Sequence, residues 1–324
     1  MAHIYNAKTT ANELTNDLAH EISGKVVMIT GPSPGSIGAT FVKSIAKAQP
    51  GLLVLAGRNL TSIQRTADGL AANHPAIQVR LLELDVGSLA AVRTSAATFN
   101  AWDDVPKLDV LINNAGIWAV EFALSKDGYE STFATNHLGP FLFTNLIMKK
   151  ILASSSPRVV NVSSNGHRLS PIRWGDYNFR DGETYNKWSA YGQSKTANML
   201  FALSLAKTLG PKLLAFSLHP GTILTNMTSP IGEAGMAAIR DSDKAMGNAE
   251  AWKEYIFKSE QEGAATHIYA AFEPSLSANN GAYLEDSHVA DPWVQTVKPW
   301  GTSTVEAERL WKLSENLVGE TFNY

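Results

Sequence analysis

The amino-acid sequence predicts an α/β fold built on a doubly wound parallel sheet, and two features of its first two hundred residues carry that expectation. Short runs that are apolar at nearly every position alternate with longer stretches of helical period, and a glycine-punctuated turn follows directly on the first run. Strands covered by helices on both faces read as continuous Val/Ile/Leu runs, and the helices between them supply right-handed crossovers. The expected strands are 26–30, 52–56, 77–84, 108–112, 158–163 and 213–218, with a weaker seventh near 282–285.

At 324 residues, 44% hydrophobic and 18% charged, the chain can bury a sizeable core but is short for two generous domains. A single domain with extensions is expected. Residues 8–23 read as an N-terminal helical extension, 223–262 as a long excursion after the sixth strand, and 287–324 as a C-terminal tail carrying Trp293, Trp300 and Trp311. A formal charge of −3 without a basic cluster argues against nucleic acid and against an electrostatic membrane anchor. With no cysteine there are no disulfides and no thiolate chemistry. The opening stretch MAHIYNAKTTANEL has neither the apolar run of a signal peptide nor the length of a membrane span, so a cytoplasmic location is expected. The eight histidines are scattered without ligand spacing, so no metal site is expected.

After the first strand, TGPSPGSIG places Gly31, Gly35 and Gly38 ahead of a helical pattern. Glycines there permit a tight turn and let the backbone approach a pyrophosphate at a helix N-terminus, whose unpaired N–H groups favour anions. This is the Rossmann-type arrangement, and Ser33, Ser36 and Ile37 of the same loop are candidate contacts. Arg58, with Asn59 beside it, follows the second strand where an acidic residue would bind the ribose hydroxyls of NAD. A cation at that point suits the 2′-phosphate of NADP instead, unless Arg58 is merely a solvated strand-end charge. Asp85 and Val86 end the third strand, and Asn114, Ala115 and Gly116 follow the fourth. These positions line the carboxyl edge, where open parallel sheets bind ligands. Asp85 could equally cap the helix that begins near Ser88.

Tyr191 and Lys195, four residues apart, share one face of a helix. Such a pair is common by composition, so its context decides. Ser163 and Ser164 end the fifth strand in NVSSNG, Asn136 opens the apolar helix NHLGPFLFTNLIM, and Pro220, Gly221, Thr222 and Thr225 follow the sixth strand in HPGTILT. With TGxxxG, NNAG, NHLG, NVSS, YxxxK and PG in this order and spacing, the chain resembles the short-chain dehydrogenase/reductase family over residues 22–285. The stretches DGYESTFATNHLGPFLFTNL and YGQSKTANMLFALSLAKTLG are most similar to its retinol-dehydrogenase-like branch, which includes the WW-domain-containing oxidoreductases. Neither a WW module nor a membrane anchor is expected in this chain.

The resemblance implies an NADP(H)-dependent interconversion of a carbonyl and an alcohol. Ser164 would hydrogen-bond the substrate oxygen and Tyr191 would act as general acid or base. Lys195 would bind the nicotinamide ribose and lower the Tyr191 pKa, and Asn136 would hold a water linking Lys195 to solvent. The physics is consistent with those roles, since an adjacent ammonium together with an oxidised nicotinamide moves a phenol down from its usual pKa of about 10 and a hydroxyl donor stabilises charge developing on oxygen. Strand alternation lets only one of Ser163 and Ser164 face the cleft, and the family pattern selects Ser164.

Three departures from the pattern stand out. The glycine gaps are four and three, where compact members have four and two and extended members three and three. Pro32 and Pro34 remove N–H donors from the same loop, so the phosphate cradle must be reshaped. Between Ser164 and Tyr191 lie 26 residues (165 to 190), including His167, which reads more naturally as incidental than as a second acid.

For substrate, the 223–262 excursion carries Met227, Met236, Ile239, Met246, Trp252 and Phe257. Their spacing suggests short amphipathic helices, and Met side chains adapt to irregular ligands. With Trp118, Phe122 and Trp174 on the opposite wall, the expectation is a mobile lid over an apolar pocket, hence a bulky lipophilic or aromatic carbonyl or alcohol. An ordinary subunit contact, as in a homodimer, is the alternative use of the same surface. Two further functions compete. A sensor or scaffold that binds NADP(H) without turnover would ordinarily lose the Tyr or the Lys, and an extended-type epimerase or dehydratase would ordinarily have a separate C-terminal substrate domain and lack NNAG.

Overall fold

Residues 5–224 and 232–324 are described by the computed structural model of the chain. Among the described residues ten strands form in chain order: β1 Val26–Thr30, β2 Leu52–Gly57, β3 Val79–Glu83, β4 Val110–Asn113, β5 Arg158–Val162, β6 Leu214–His219, β7 Thr222–Ile223, β8 Phe257–Lys258, β9 Tyr283–Glu285 and β10 His288–Val289. Eight of them make one sheet in the order β3-β2-β1-β4-β5-β6-β9-β10, parallel throughout except for β10. The order reverses between β1 and β4, the place where such sheets open a crevice at their carboxyl ends. The expected third strand narrows to Val79–Glu83 because Ile77 still closes the turn after the preceding helix, its N–H donating to His74 O at 3.1 Å.

Both faces of the strands are buried, and the alternation shows it. Met28, Leu52, Val54 and Ala56 belong to one core cluster, with the helices Leu89–Asn100, Gly139–Leu146 and Lys187–Leu209. Val27, Ile29, Leu53 and Leu55 belong to the other, with the helices Ile37–Ile45, Leu60–Asn73 and Glu260–Phe272. A strand that meets a core on each side has no polar position to alternate with, hence the uninterrupted apolar runs.

The extensions add cover to both faces. Residues 8–23 hold two short helices, Ala11–Asp17 and Ala19–Ile22, the first opened by a capping box between Thr10 and Glu13. Leu14, Leu18 and Ile22 bury into the second cluster. At the other end the helix Thr304–Val318, capped by Ser303 and stopped at Gly319 (φ 69°), lies along Lys187–Leu209. Trp311 meets Phe141 edge-on at 5.0 Å and Ser314 Oγ lies 2.7 Å from His137 Nε2. The tail thus covers this chain's own helices, although Trp293 is 93% exposed. No helix among the described residues is long and apolar enough to cross a membrane.

Residues 223–262 hold β7 and β8, paired in parallel, the helix Gly232–Ala245 and the 3₁₀ turn Ala249–Trp252. Of the apolar residues expected to face a ligand, Met236 and Ile239 point inward, but Met246, Trp252 and Phe257 are 43%, 70% and 47% exposed. Met227 and Thr225 lie outside the described residues.

Among the described residues His137, His167, His219 and His267 are buried. Burial pushes His137 down to about 3, His167 and His267 down to about 4, and His219 well below its ordinary value. Each therefore titrates lower in the folded chain than near 6.5 in the unfolded one, so the unfolded state binds more protons between those values. The contribution is fully present above pH 6.5 and is lost as pH falls toward 4. Denaturant melts at pH 7.5 and pH 4.5 are expected to show a loss of at least about 3 kcal/mol of unfolding free energy. Equal stability at the two pH values would contradict buried neutral imidazoles.

Candidate active site

The crevice at the sheet reversal is held by a side chain at the end of β1. Thr30 Oγ1 accepts from the backbone N–H of Asn114 and Ala115 at 3.0 and 2.8 Å, and Asn114 Nδ2 donates to Thr30 O at 2.9 Å. Gly31 turns the chain with φ +73°, and a Cβ there would come within 3.1 Å of Ala115. Gly35 also has positive φ, at +75°. Ser36 then caps the helix Ile37–Ile45, its Oγ accepting from Ala39 N at 3.1 Å. That leaves the first N–H groups of the helix facing the crevice despite Pro32 and Pro34.

One cavity of about 540 Å³ runs along these strand ends. Gly31, Ser33, Gly35, Ser36 and Ile37 line one end with Arg58 and Asn59; Asp85, Val86, Asn114, Ala115 and Gly116 line the middle; Ser164, Tyr191, Lys195, Pro220, Gly221 and Thr222 line the far end. Gly38 is one step back. A Cβ there would meet Asn114 Nδ2 at 2.8 Å and Pro32 Cα at 3.3 Å, so it serves close helix packing rather than the cavity wall. No hydrogen bond or ion pair to a described residue engages the Arg58 guanidinium. Asn59 caps the helix Leu60–Asn73 through Ser62 N at 2.9 Å. Asp85 does not cap the next helix. Ser88 does, while Asp85 Oδ1 accepts from Gly87 N at 3.0 Å in a local turn.

At the far end the helix Lys187–Leu209 is fastened to β5. Lys195 Nζ and Asn198 Nδ2 both donate to Val162 O at 3.0 Å, and Ser163 Oγ returns to Lys195 O at 2.7 Å. Both serines border the cavity, but Ser163 is buried with its hydroxyl directed to Lys195 O, and Ser164 is the less buried of the two. Ser164 Oγ accepts from Gly166 N at 3.0 Å, and a Cβ on Gly166 would come within 2.8 Å of Tyr191 Cε1. Only glycine lets the phenol ring lie this close to the serine turn.

Asn136 sits in a π-helical turn, Ala134–Leu138, a distortion common at functional sites. Its side chain is fully engaged: Oδ1 accepts from Ile117 N at 2.8 Å, and Nδ2 donates to Ile117 O at 2.9 Å and Ser194 Oγ at 3.0 Å. It pins the chain after Gly116, where a Cβ would lie 2.9 Å from Asn136 Oδ1 and 3.7 Å from Lys195 Nζ.

The expected downward shift of Tyr191 is not what the chain itself produces. Burial pushes the phenol up to about 12, outweighing its hydrogen bond with Ser164 and the Arg168 charge, while the Lys195 ammonium, engaged by Val162, lies 5.4 Å from the ring centroid. Burial likewise pulls Lys195 down to about 8.

His167 is more than incidental. It is fully buried, with Nδ1 2.8 Å from Ser164 O and Nε2 accepting from Lys298 N at 3.1 Å, so the tail is tied to the serine turn. The next residue, Arg168, carries the insertion. Its guanidinium makes a buried two-point pair with Asp243 of the helix Gly232–Ala245, at 2.8 and 2.7 Å, and Asn248 Nδ2 donates to the same carboxylate at 3.0 Å. The helix is thus clamped over the cavity, with Met236 and Ile239 inward.

The opposite wall is only partly the expected one. Trp118 lines the cavity, 6.2 Å from the Tyr191 ring, but Phe122 packs on Tyr185 at 5.2 Å. Trp174 instead donates to Glu306 at 2.7 Å under Arg309. Trp188, Leu169, His219 and Tyr255 also line the cavity without having been singled out in sequence. Trp188 alone carried a usable signal, three residues before Tyr191 on the same helix face.

A family model described as short chain dehydrogenase matches residues 25–178. The chain is 36% identical to short-chain dehydrogenase/reductase prx1 of Penicillium rubens, over 97% of this chain and 91% of that one. It is 33% identical to retinol dehydrogenase 12 of Mus musculus, over 92% and 88%. Among solved structures, an uncharacterized protein from Mycobacterium paratuberculosis superposes with a TM-score of 0.67 at 30% identity, over 94% and 96%.

Replacing Asp243 by Ala would remove the two-point partner of the buried Arg168 cation and leave it Glu250 at 3.8 Å, and removing one partner of a buried pair costs up to about 3–5 kcal/mol. Asp243→Ala should therefore lower the thermal midpoint by several degrees. A midpoint equal to wild type would show that the clamp contributes nothing.

Proposed function

Since the chain belongs to the short-chain dehydrogenase/reductase family and resembles its retinol-dehydrogenase-like branch, we propose that it is an NADP(H)-dependent oxidoreductase that reduces a bulky lipophilic or aromatic carbonyl. The observation that carries the reading is the continuity of one cavity, from an unengaged Arg58 guanidinium at one end to Ser164 and Tyr191 at the other. The residues present fit a dinucleotide. The capped helix after Gly31 and Gly35 offers backbone N–H groups to a pyrophosphate, Arg58 offers a charge-assisted bond to a 2′-phosphate, and Lys195 and Thr222 border the nicotinamide end. A bound nicotinamide supplies or takes the hydride at the substrate carbon.

Every other part of the reaction belongs to the chain. Ser164 holds the carbonyl oxygen, and Tyr191, kept protonated at neutral pH by burial, gives that oxygen its proton. A phenol rather than a phenolate at rest suits reduction. Trp118, Trp188, Leu169, Met236 and Ile239 exclude water around the apolar part of the substrate. The clamp through Arg168 ties this wall to the turn that bears Ser164.

Two measurements test the reading. NADPH should bind one to two powers of ten tighter than NADH, about the 1.5–3 kcal/mol of a charge-assisted bond. Arg58→Ala should erase most of that ratio. Equal affinities, or an unchanged ratio in the variant, would remove the assignment of Arg58. Tyr191→Phe should keep NADPH binding while NADPH oxidation over ketones of increasing apolar size falls by at least about 100-fold. Retention of more than a tenth of the wild-type rate, or a preference for the smallest ketones, would count against the proposed acid or the proposed substrate class.

A further inference from the structure

A buried polar atom without a hydrogen-bond partner marks a place where a partner is missing. Among the described residues only two such atoms belong to side chains that line the cavity, His219 Nδ1 and the Tyr255 hydroxyl. His219 directly precedes Pro220 and Gly221 and so belongs to the nicotinamide end. Tyr255 belongs to the apolar wall, packed against Leu169, Trp188 and Ile239 together with Trp118 and Met236.

Tyr255 lies on the extended stretch between the 3₁₀ turn Ala249–Trp252 and β8, where Lys253, Glu254 and Ile256 are exposed and Tyr255 turns inward. Arg240 of the helix Gly232–Ala245 donates to Ala251 O and Lys253 O at 3.3 and 3.1 Å, and its guanidinium sits over the Tyr255 ring, 5.1 Å from the centroid. Two residues further on, Phe257 pairs with Thr222 at the nicotinamide end. The phenol is therefore held from two sides. One tie runs through Thr222, the other through Arg240 and Asp243 of one helix to Arg168 and the Ser164 turn.

A phenylalanine at 255 would pack on the same neighbours and take the same guanidinium over its face without burying an unsatisfied hydroxyl. The hydroxyl is thus a cost to the empty wall, offset when a ligand supplies the missing partner. Asn165 and Arg168, also on the cavity wall, are already bonded to each other, and Arg168 to Asp243. Burial raises the Tyr255 pKa, outweighing the nearby Arg168 cation, so at neutral pH the group is a donor and its partner an acceptor. Two cations, Arg168 and Arg240, and two anions, Asp243 and Glu250, surround the phenol, so the charges there balance and favour an uncharged ligand group.

We infer that the substrate carries a second, neutral oxygen besides the reacting carbonyl, and that the Tyr255 hydroxyl binds it. The inference rests on the reading of this cavity as the place of a bulky lipophilic carbonyl compound, and it narrows that class to dioxygenated members. A wall with one buried donor rejects a ligand that lacks the matching oxygen more sharply than an apolar wall rejects one of the wrong size. Because the phenol is tied to the Ser164 turn, the span between the two polar points is preset. The protein then selects for the position of the second oxygen as well as for its presence.

Saturated bicyclic and tricyclic ketones, each alone and with one hydroxyl at successive ring positions, test this. With NADPH in excess, the wild-type chain should favour one hydroxylated position over the parent ketone by about five-fold or more in kcat/KM, mainly through KM. In Tyr255→Phe that ratio should fall to about one, while the affinity for NADPH, read by fluorescence, reports that the variant is folded. Quenching of intrinsic tryptophan fluorescence in the NADP+-loaded protein gives the same comparison without turnover. No preference for any hydroxylated position, an equal gain at every position, or a preference that survives in Tyr255→Phe would overturn the inference in either readout. A wild-type chain that reduces no carbonyl yet binds one hydroxylated ketone through Tyr255 would defeat the reductase reading and leave the second-oxygen site standing.

Discussion

A buried ammonium organises the site. Lys195 is 6% exposed, and a cation so placed is tolerated only where its hydrogens find acceptors. It finds Val162 O at the end of β5, which Asn198 also binds, and Ser163 closes the loop onto the backbone of Lys195. These three bonds fix the rotation of a 23-residue helix against the sheet. Rotation decides everything downstream. It places Tyr191, one turn earlier, over the turn that begins at Ser164, and Gly166 is the vacancy of a side chain that lets the ring settle there.

Around that fastening, two parts of the chain remote in sequence act as braces. His167 joins the carbonyl of Ser164 to the backbone of Lys298, and Trp300 Nε1 donates to His167 O at 3.1 Å. Arg168 joins the same turn to Asp243. The serine is thus steadied from behind by the tail and from above by the insertion, through consecutive residues of one 3₁₀ turn. The extra length between Ser164 and Tyr191 and the extra length at the C-terminus are consequently parts of one arrangement. The tail helix also occupies the outer face of Lys187–Leu209, pressing through Ala307 and Leu310 on the side opposite the sheet.

The strands and the line of cavity residues were legible in the sequence for a physical reason. Doubly buried strands must be apolar at every position, and a parallel sheet must present its ligand-facing residues where those runs end, so Gly31, Arg58, Asp85, Asn114 and Thr222 announce themselves. Side chains of the insertion did not. Period tells that Met236 and Met246 are on apolar faces, but not that the first lines the cavity and the second meets solvent. Phe122 and Trp174 were misplaced similarly, because an aromatic residue says nothing about which of several hydrophobic surfaces it joins. The pairing of Arg168 with Asp243 spans 75 residues and follows no local pattern. The lowering expected for Tyr191 counts a neighbouring lysine and an oxidised nicotinamide, whereas the rise that the chain alone produces comes from burial, which a sequence does not display.

That reversal bears on how the proposed reaction is promoted. A phenol lowered in the resting chain would already be partly ionised and a poor donor to a carbonyl. Here burial raises Tyr191 and lowers Lys195, so each group leans toward its neutral form. The ammonium, 5.4 Å from the phenol ring, gains little from a neutral phenol but much from a phenolate formed in the same low-dielectric space. Its attraction grows as the proton leaves. Interactions that strengthen only along the reaction coordinate lower the barrier without tightening the ground state, so the burial that makes Tyr191 a reluctant acid at rest also makes Lys195 effective when the charge appears.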